Sequence, residues 1–279
     1  MDPCPEKPLL LAIDSDGCAF DTMRLKHERF FGPKLIEVFD LQACAEAVMD
    51  HWLRTNLYSA NRGRNRFETL NIVLAALEGH ADHRLPERRS FEEWLQSKMA
   101  KSNEALRQFK RDRDAPILDR VLDWSESVNE AIATGMPLLP PFPGVEETIR
   151  EAAIQADLMV CSAANRKALE LEWGEAALLK SVTEIGGQEA GTKSEQLQGA
   201  LNKGYQPDNI LMVGDSPGDR TSANENGIRA YPILPGNEAD SWKQFQDKYW
   251  PAFLKGNFSD SMEDSLWSAY NRHLEQLDG

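Results

Sequence analysis

The sequence predicts an α/β fold in which a Rossmann-like parallel sheet is flanked by helices and interrupted by an inserted all-helical domain. Short apolar runs at residues 9–13, 158–161 and 210–213 are typical of buried parallel strands. The segments between the later apolar runs carry apolar residues at helical spacing, which implies right-handed crossovers between parallel strands. Residues 25–137 show helical spacing and no strand-like alternation. These observations favour one sheet whose first strand is separated from the others by helices.

The composition indicates a soluble protein and excludes several classes of partner. The chain has 279 residues and a formal charge of −14, which argues against nucleic-acid binding and adhesion to an anionic membrane. No run is apolar enough to span a bilayer, and the first residues lack the pattern of a signal peptide. The cysteines show no paired spacing, which fits a reducing compartment. We therefore expect a cytoplasmic protein, and its oligomeric state stays open.

The first half of the chain contains one strand followed by helices. The apolar run at 9–13 ends at Asp14 and predicts the first strand. Residues 67–77 carry an apolar stripe at helical spacing, and Gly79 can end that helix. Ser90 has the spacing of a capping box and predicts the start of another helix. Pro116 predicts the start of a further helix, because proline suits the first helical turn.

In the second half of the chain, helices and strands alternate. Four prolines within residues 137–143 mark a rigid connection. Beyond them the patterns predict helices near 145–155 and 166–180 and from 193. The predicted strands lie at 158–161, 182–185, 210–213 and 229–233. Residues from 240 onward predict a pair of C-terminal helices. The expected domains are an α/β core (1–24 and 138–235), a helical insert (25–137) and a C-terminal extension packed on the core (236–279).

Two pairs of carboxylates follow predicted strands. Asp14 and Asp16 follow the first strand, at the sheet edge where open α/β folds bind ligands. Such a pair repels itself unless a cation or a shared proton relieves it, which suggests a metal-dependent site. Asp215 and Asp219 follow the strand at 210–213 and suit a hard cation such as magnesium. A strand followed by a capped turn explains the second pair equally well.

A hydroxyl and a lysine begin two of the predicted helices. Ser162 can donate to a phosphate oxygen together with nearby N–H groups, or it can simply cap a helix. Thr192 and Glu195 form a capping box that places Lys193 in the first helical turn, where the helix dipole disfavours a cation. A bound anion would remove that conflict. A solvated surface lysine is the alternative.

The order of these four segments resembles the haloacid dehalogenase superfamily in its phosphatase branch. The match covers residues 8–24 and 138–235. The resemblance implies that Asp14 is a nucleophile that forms a phospho-aspartyl intermediate, and that Asp16 is the general acid and base. It also implies that Ser162, the neighbouring Ala163 and Lys193 hold the phosphoryl oxygens.

The same resemblance implies a magnesium cofactor. Its ligands would be the carboxylates of Asp14 and Asp215 and the backbone carbonyl of Asp16, with Asp219 as a further ligand or as support. Cys18 stands where the family usually has threonine or a β-branched residue, and we interpret it as a packing residue. Ser15 gives no information on the substrate.

The insert resembles a cap placed directly after the first strand, as in β-phosphoglucomutase and phosphoglycolate phosphatase. Such caps close over the site and select the substrate. Arg62, Arg64 and Arg66 form a basic turn that could bind a second anionic group of the substrate, or could merely be solvated. Asn165 is a further candidate substrate contact, although helix capping explains it equally well.

The leading hypothesis is a magnesium-dependent phosphomonoester hydrolase that acts on a small phosphorylated metabolite. A phosphomutase of the β-phosphoglucomutase type would use the same residues. A haloacid dehalogenase needs neither Asp16 nor magnesium, and a phosphonate hydrolase lacks the second acid, so both fit less well. A non-catalytic phospho-sensor similar to a receiver domain would lack the insert and Asp16. A pseudo-enzyme that serves as an interaction partner is the last alternative.

Overall fold

The computed structural model describes residues 5–78 and 87–278. The chain forms two compact units, of which the first contains the residues up to Met23 and Leu138–Leu277. The second unit is Arg24–Pro137. The helix end predicted at Gly79 lies outside the described residues. Within the described part of the chain, no helix is both long and apolar enough to cross a membrane.

The first unit is built on a five-stranded sheet with the order β3-β2-β1-β4-β5. All four pairings are parallel. The strands are β1 (Leu10–Ile13), β2 (Asp157–Cys161), β3 (Glu184–Gly186), β4 (Ile210–Gly214) and β5 (Arg229–Pro232). β1 is central, because Leu10 pairs with both Asp157 and Ile210. The carboxyl ends of β1 and β4 therefore lie side by side, and the predicted fold class is confirmed.

The described part of the chain from Thr22 to Gly135 contains helices and no strand. Its helices are α1 (Thr22–Lys26), α2 (Gly32–Val38), α3 (Ala45–Leu57), α4 (Arg66–Leu77), α5 (Arg89–Gln96), α6 (Asn103–Lys110) and α7 (Pro116–Gly135). One π-helical turn, His27–Phe31, joins α1 to α2. Their apolar faces bury Trp52, Trp94 and Trp124, which are fully buried. This aromatic core accounts for the apolar stripes in the sequence.

The helix start predicted at Ser90 is wrong. α5 begins at Arg89, so Ser90 lies inside the helix and caps nothing. The guanidinium of Arg88 contacts Glu92 at 2.8 Å and Asn71 at 2.6 Å, which fixes the chain just before the first turn. These contacts to other parts of the unit decide the boundary in place of a side-chain cap.

The remaining helices belong to the first unit. They are α8 (Val145–Gln155), α9 (Arg166–Glu175), α10 (Lys193–Asn202), α11 (Pro217–Asn224), α12 (Glu238–Gln244), α13 (Trp250–Leu254) and α14 (Asp260–Asp278). A π-helical turn, Phe245–Tyr249, joins α12 to α13. α9 ends five residues before the predicted position, because Ala177 adopts a left-handed φ of 56° that a helix cannot contain.

The C-terminal helices cover both faces of the sheet. Successive strand residues point to opposite faces, so Leu11 and Leu10 belong to different hydrophobic clusters. The cluster that contains Leu11 also contains Trp242 of α12. The cluster that contains Leu10 also contains Trp267 and Tyr270 of α14. Helices that follow the last strand therefore cover part of each face of the sheet.

Candidate active site

The first acid-bearing loop, which carries Asp14 and Asp16, leaves the central strand in a tight turn. The N–H of Asp14 donates to the carbonyl of Val213 in β4 at 2.9 Å, which extends the pairing past the end of β1. The N–H of Ser15 donates to Asp14 Oδ1 at 2.8 Å. Gly17 permits the turn with a φ of 83°. The hydroxyl of Thr22 donates to Asp16 Oδ1 at 2.5 Å, so both acids are oriented by the loop itself.

The second acid-bearing loop, which carries Asp215 and Asp219, follows β4 and is fixed by a capping box. The Asp219 Oδ2 atom accepts from the N–H of Ser216 at 3.0 Å and from its hydroxyl at 2.7 Å. Asp219 is fully buried, and Asp215 is 1% exposed. A Cβ on Gly214 would lie 2.3 Å from Asp219 Cγ, so only glycine fits there. The predicted capped turn is present: Ser216 is the N-cap residue of the helix that follows, and its capping-box partner Asp219 is one of the candidate acids.

Lys193 joins the two acid-bearing loops. Its Nζ lies 2.7 Å from Asp14 Oδ2 and 2.5 Å from Asp219 Oδ1, and the side chain is 15% exposed. The capping box of Thr192 and Glu195 is present and begins α10 at the lysine. The interpretation of Lys193 as a solvated surface residue is therefore wrong. Two buried carboxylates offset the unfavourable position of this cation in the first helical turn.

Three carboxylates meet in this cluster. Asp14, Asp215 and Asp219 each offer an oxygen within 4.8 Å of the others, and all three residues are buried. Burial, together with the carboxylates of Asp219 and Asp215, raises the pKa of Asp14 well above its usual range, although Lys193 opposes the change. Burial would lower the pKa of Lys193, but Asp14 and Asp219 outweigh it and raise that pKa. Lys193 contacts two of these acids, and the three acids together form an oxygen-only donor set that fits a divalent cation.

The residues after β2 form a compact turn at the same edge of the sheet. Ser162 is buried, and its Oγ accepts from the N–H of Ala164 at 3.1 Å. Ala163 is exposed at the tip of the turn. Asn165 caps α9, because its Oδ1 accepts from the N–H of Lys167 at 3.0 Å, and its amide donates to Glu189 Oε1 at 2.6 Å. Asn165 therefore acts as a helix cap, as one of the two interpretations of the sequence expected.

Gln196 connects three loops around the site, although no sequence motif marks it. Its amide nitrogen lies within hydrogen-bond distance of the carbonyls of Ser162, Gly187 and Gly191, at 3.0, 3.1 and 3.0 Å. Gln196 is buried and lies three residues after Lys193 on α10. It therefore fixes the Ser162 turn relative to the helix that carries the lysine. Spacing from Lys193 is the only sequence signal, and it is too common to identify such a residue.

Ser15 has a larger structural role than the sequence suggests. Its hydroxyl donates to Glu172 Oε2 at 2.8 Å and accepts from Trp173 Nε1 at 3.0 Å. The residue between the two acids is thus bound to α9 in a fully buried position. The sequence did not indicate this role, because both partners of Ser15 lie far away in sequence.

Cys18 is a packing residue, as its sequence context suggests. The thiol is fully buried and lies 3.6 Å from the carbonyl of Val213. Burial and the nearby Asp14 carboxylate raise the pKa of this thiol well above its usual range. The reactive thiolate is therefore disfavoured.

In the second unit, the basic turn does not form one exposed patch. Arg62 is 5% exposed and donates to the carbonyl of Leu57 at 2.9 Å. Arg64 is exposed. Arg66 lies over the ring of Phe31 at 4.8 Å and donates to Asn129 Oδ1 at 2.7 Å. The three arginines therefore occupy three different environments, and only Arg64 fits the interpretation of a solvated turn.

Comparisons with known proteins identify the family. A profile of the haloacid dehalogenase-like hydrolases matches residues 67–233, which is more than half of the chain. No curated protein matches the chain. A protein of Lactobacillus delbrueckii subsp. bulgaricus assigned as a phosphoglycolate phosphatase shares the fold, with a TM-score of 0.54 and 15% identity over 86% of this chain and 92% of that one. A protein of Bacteroides vulgatus assigned as a β-phosphoglucomutase gives a TM-score of 0.47 and 14% identity over 91% of each chain. The chain belongs to the haloacid dehalogenase-like hydrolases, and it is an enzyme.

Proposed function

We propose that the protein is a Mg²⁺-dependent phosphomonoester hydrolase that acts on a small phosphorylated metabolite. The observation that carries this proposal is the buried cluster in which Asp14, Lys193 and Asp219 are in direct contact and Asp215 lies within metal-ligating distance. A nucleophilic carboxylate, a cation for phosphoryl oxygens and an oxygen-lined metal site are the groups that phosphoryl transfer requires. The proposed compartment is the cytoplasm.

The Mg²⁺ ligands would come from both acid-bearing loops. The carboxylates of Asp14 and Asp215 and the backbone carbonyl of Asp16 are the proposed ligands. Asp219 is better suited to support, because Lys193 and Ser216 already engage its two oxygens. When bound, Mg²⁺ would offset negative charge on the phosphoryl group and on the acids. The excess of three carboxylates over one lysine supports this assignment.

Asp14 is the proposed nucleophile. One of its carboxylate oxygens attacks phosphorus, which forms a phospho-aspartyl bond and breaks the ester bond to the leaving alcohol. Asp16 gives its proton to that alcohol. Asp16 then takes a proton from water, whose oxygen attacks phosphorus and releases inorganic phosphate from Asp14. The hydroxyl of Thr22 on Asp16 Oδ1 supports this role, because it fixes the carboxyl group next to the nucleophile.

The phosphoryl oxygens are the proposed ligands of Lys193, Ser162 and the backbone of Ala163. Lys193 already bridges the nucleophile and the second acid-bearing loop, so its charge lies where the phosphoryl group would enter. Ser162 is placed by the amide of Gln196, which binds its carbonyl at 3.0 Å. Preorganised donors of this kind stabilise charge that develops during transfer.

The second unit is the proposed cap, and Arg66 is its best candidate for substrate recognition. Burial lowers the pKa of Arg66 to about 10. Its contacts are neutral, namely Asn129, Ser125 and the ring of Phe31. A second anionic group on the substrate would compensate this charge. Arg62 is a weaker candidate because it binds its own unit, and Asn165 because it caps α9.

Asp14→Asn tests the reaction. The variant should fold and lose phosphate release by at least about a thousandfold, because an amide cannot form the phospho-enzyme. Phosphate release is measured with Mg²⁺ over a panel of phosphorylated metabolites, and isomerisation is followed in parallel to detect a mutase. Asp21→Asn is the matched control, since it makes the same change in the same segment. Undiminished Mg²⁺-dependent turnover in Asp14→Asn would overturn the proposal.

A further inference from the structure

Two aromatic residues of the C-terminal helices bind the backbone of the two acid-bearing loops. The indole Nε1 of Trp242 donates to the carbonyl of Cys18 at 2.9 Å. The hydroxyl of Tyr270 donates to the carbonyl of Asp215 at 2.6 Å. Trp242, Tyr270, Cys18 and Asp215 are all buried. Trp242 and Tyr270 lie beyond residue 233, where the match to the family profile ends.

The contact from Tyr270 acts at the point where β4 becomes the second acid-bearing loop. The Asp215 carbonyl belongs to the peptide that continues into Ser216, whose N–H and hydroxyl bind Asp219. A buried carbonyl that loses its donor reorients toward another one, and the whole peptide turns with it. Such a rotation would move the Asp215 carboxylate and the capping box together. The hydroxyl of Tyr270 therefore controls the geometry of both acids in this loop.

Tyr270 is held by contacts along its own helix. The indole Nε1 of Trp267 donates to the carbonyl of Ala230 in β5 at 3.0 Å, and its ring lies 4.9 Å from that of Tyr270. Arg220 of α11 pairs with Asp264 of α14 at 2.5 Å. These contacts bind α14 to the strand and to the helix that flank the second loop. The hydroxyl of Tyr270 is thus delivered by a rigid element and not by a mobile tail.

We propose that the C-terminal helices support the metal site, with Tyr270 and Trp242 as positioning residues. Tyr270 fixes the Asp215 carboxylate, and Trp242 fixes the loop that carries Asp14 and Asp16. The inference rests on the proposed function, because it takes these acids as Mg²⁺ ligands. Its consequence is that Mg²⁺ affinity depends on residues that contact no metal ligand side chain.

The test compares Tyr270→Phe with Tyr205→Phe in the full chain. Each change deletes one hydroxyl that binds an aspartate. Tyr205 donates to the Asp157 carboxylate at 2.6 Å, at the start of β2 and hence at the opposite edge of the sheet. Isothermal titration with Mg²⁺ should show a dissociation constant raised about tenfold by Tyr270→Phe and unchanged by Tyr205→Phe. Thermal unfolding should fall in both variants.

Each outcome decides the inference. Wild-type Mg²⁺ affinity in Tyr270→Phe would overturn it, and so would an equal loss of affinity in both variants, which indicates general destabilisation. If Tyr270→Phe does not fold, Trp242→Phe takes its place, and a raised Mg²⁺ dissociation constant is again the supporting result. A wild-type chain that binds no Mg²⁺ would overturn the proposed function together with the inference. Mg²⁺ binding by the wild type with no change in either variant would overturn the inference alone.

Discussion

Lys193 and Arg66 occupy the same local position in two different units. Each is the first residue of its helix, α10 or α4, and each follows a residue whose side chain caps that helix. Lys193 contacts two carboxylates. The contacts of Arg66 are an amide, a hydroxyl and an aromatic ring. Lys193 thus lies among buried carboxylates, whereas partly buried Arg66 contacts no carboxylate among the described residues.

The difference shows what each position lacks. Cations in the first helical turn oppose the helix dipole, so both residues need a compensating anion. Asp14, Asp215 and Asp219 lie together near Lys193, and a second cation would reduce the repulsion among these acids. Arg66 has no acid partner in the described part of the chain, which leaves room for an anionic ligand. The same sequence pattern therefore serves a proposed metal-binding cluster in one unit and a proposed anion-binding residue in the other.

Of the changes at these two positions and their neighbours, Lys193→Met should have the largest effect on the free energy of unfolding. The change leaves buried carboxylates without their cation, and such a loss typically costs about 3–5 kcal/mol of the free energy of unfolding. Urea denaturation in the absence of divalent metal measures it. Lys203→Met is the control, because Lys203 pairs with the more exposed Glu184 at 2.6 Å and should cost less than about 1 kcal/mol. Equal losses in the two variants would contradict the account of the cluster.

Arg66→Gln should affect substrate binding and leave the free energy of unfolding nearly unchanged, in contrast to Lys193→Met. The KM for the substrate should rise about 10–100-fold, or roughly 1.4–2.7 kcal/mol, if Arg66 binds a second anionic group. The free energy of unfolding should stay within about 1 kcal/mol, because no carboxylate loses a partner. Steady-state kinetics and urea denaturation measure the two effects. Arg64→Gln, a change at an exposed neighbour, should alter neither, and an equal rise of KM in both variants would point to a diffuse charge effect.

Asp215→Asn should have a smaller effect on stability and should remove the response to Mg²⁺. Without metal, the variant loses one repulsive charge beside Asp14 and should gain about 1 kcal/mol, or roughly 2–4 °C in Tm. Wild-type protein should gain Tm on addition of Mg²⁺, and the variant should not. Differential scanning calorimetry measures both. Asp208→Asn, on an exposed residue paired with Arg229, is the control and should preserve the Mg²⁺ response. A Mg²⁺ response retained in Asp215→Asn would remove this residue from the proposed ligands.

Sequence reasoning was sufficient for the features that are local in the chain. The apolar runs predicted the strands, and the Thr192 capping box predicted the start of α10. Parallel strands bring their carboxyl ends to one edge, which is why residues as distant as Asp14 and Asp215 could be assigned to one site. The inserted helices could be predicted because an apolar helical stripe is visible without its partner.

The features that escaped prediction depend on contacts between distant segments. Ser15 matters because Trp173 and Glu172 reach it from α9, and Gln196 because three loops converge on its amide. Arg62 resembles a surface residue in sequence, but it binds the end of its own helix hairpin. A periodic pattern predicts which face of a helix or strand is apolar, but it does not predict which polar groups of distant segments form hydrogen bonds.

The central position of β1 also dictates the order in which the molecule can assemble. Leu10 must pair with Asp157 and Ile210, so the first strand made has no neighbour until all of Arg24–Pro137 has been synthesised. During translation, local contacts favour early formation of the helical unit, whereas the sheet waits for long-range pairing. Tyr270, on α14, is synthesised after all five strands. The second acid-bearing loop therefore lacks the hydrogen bond from Tyr270 until α14 has been made, so the candidate site is completed later than the strands that carry it.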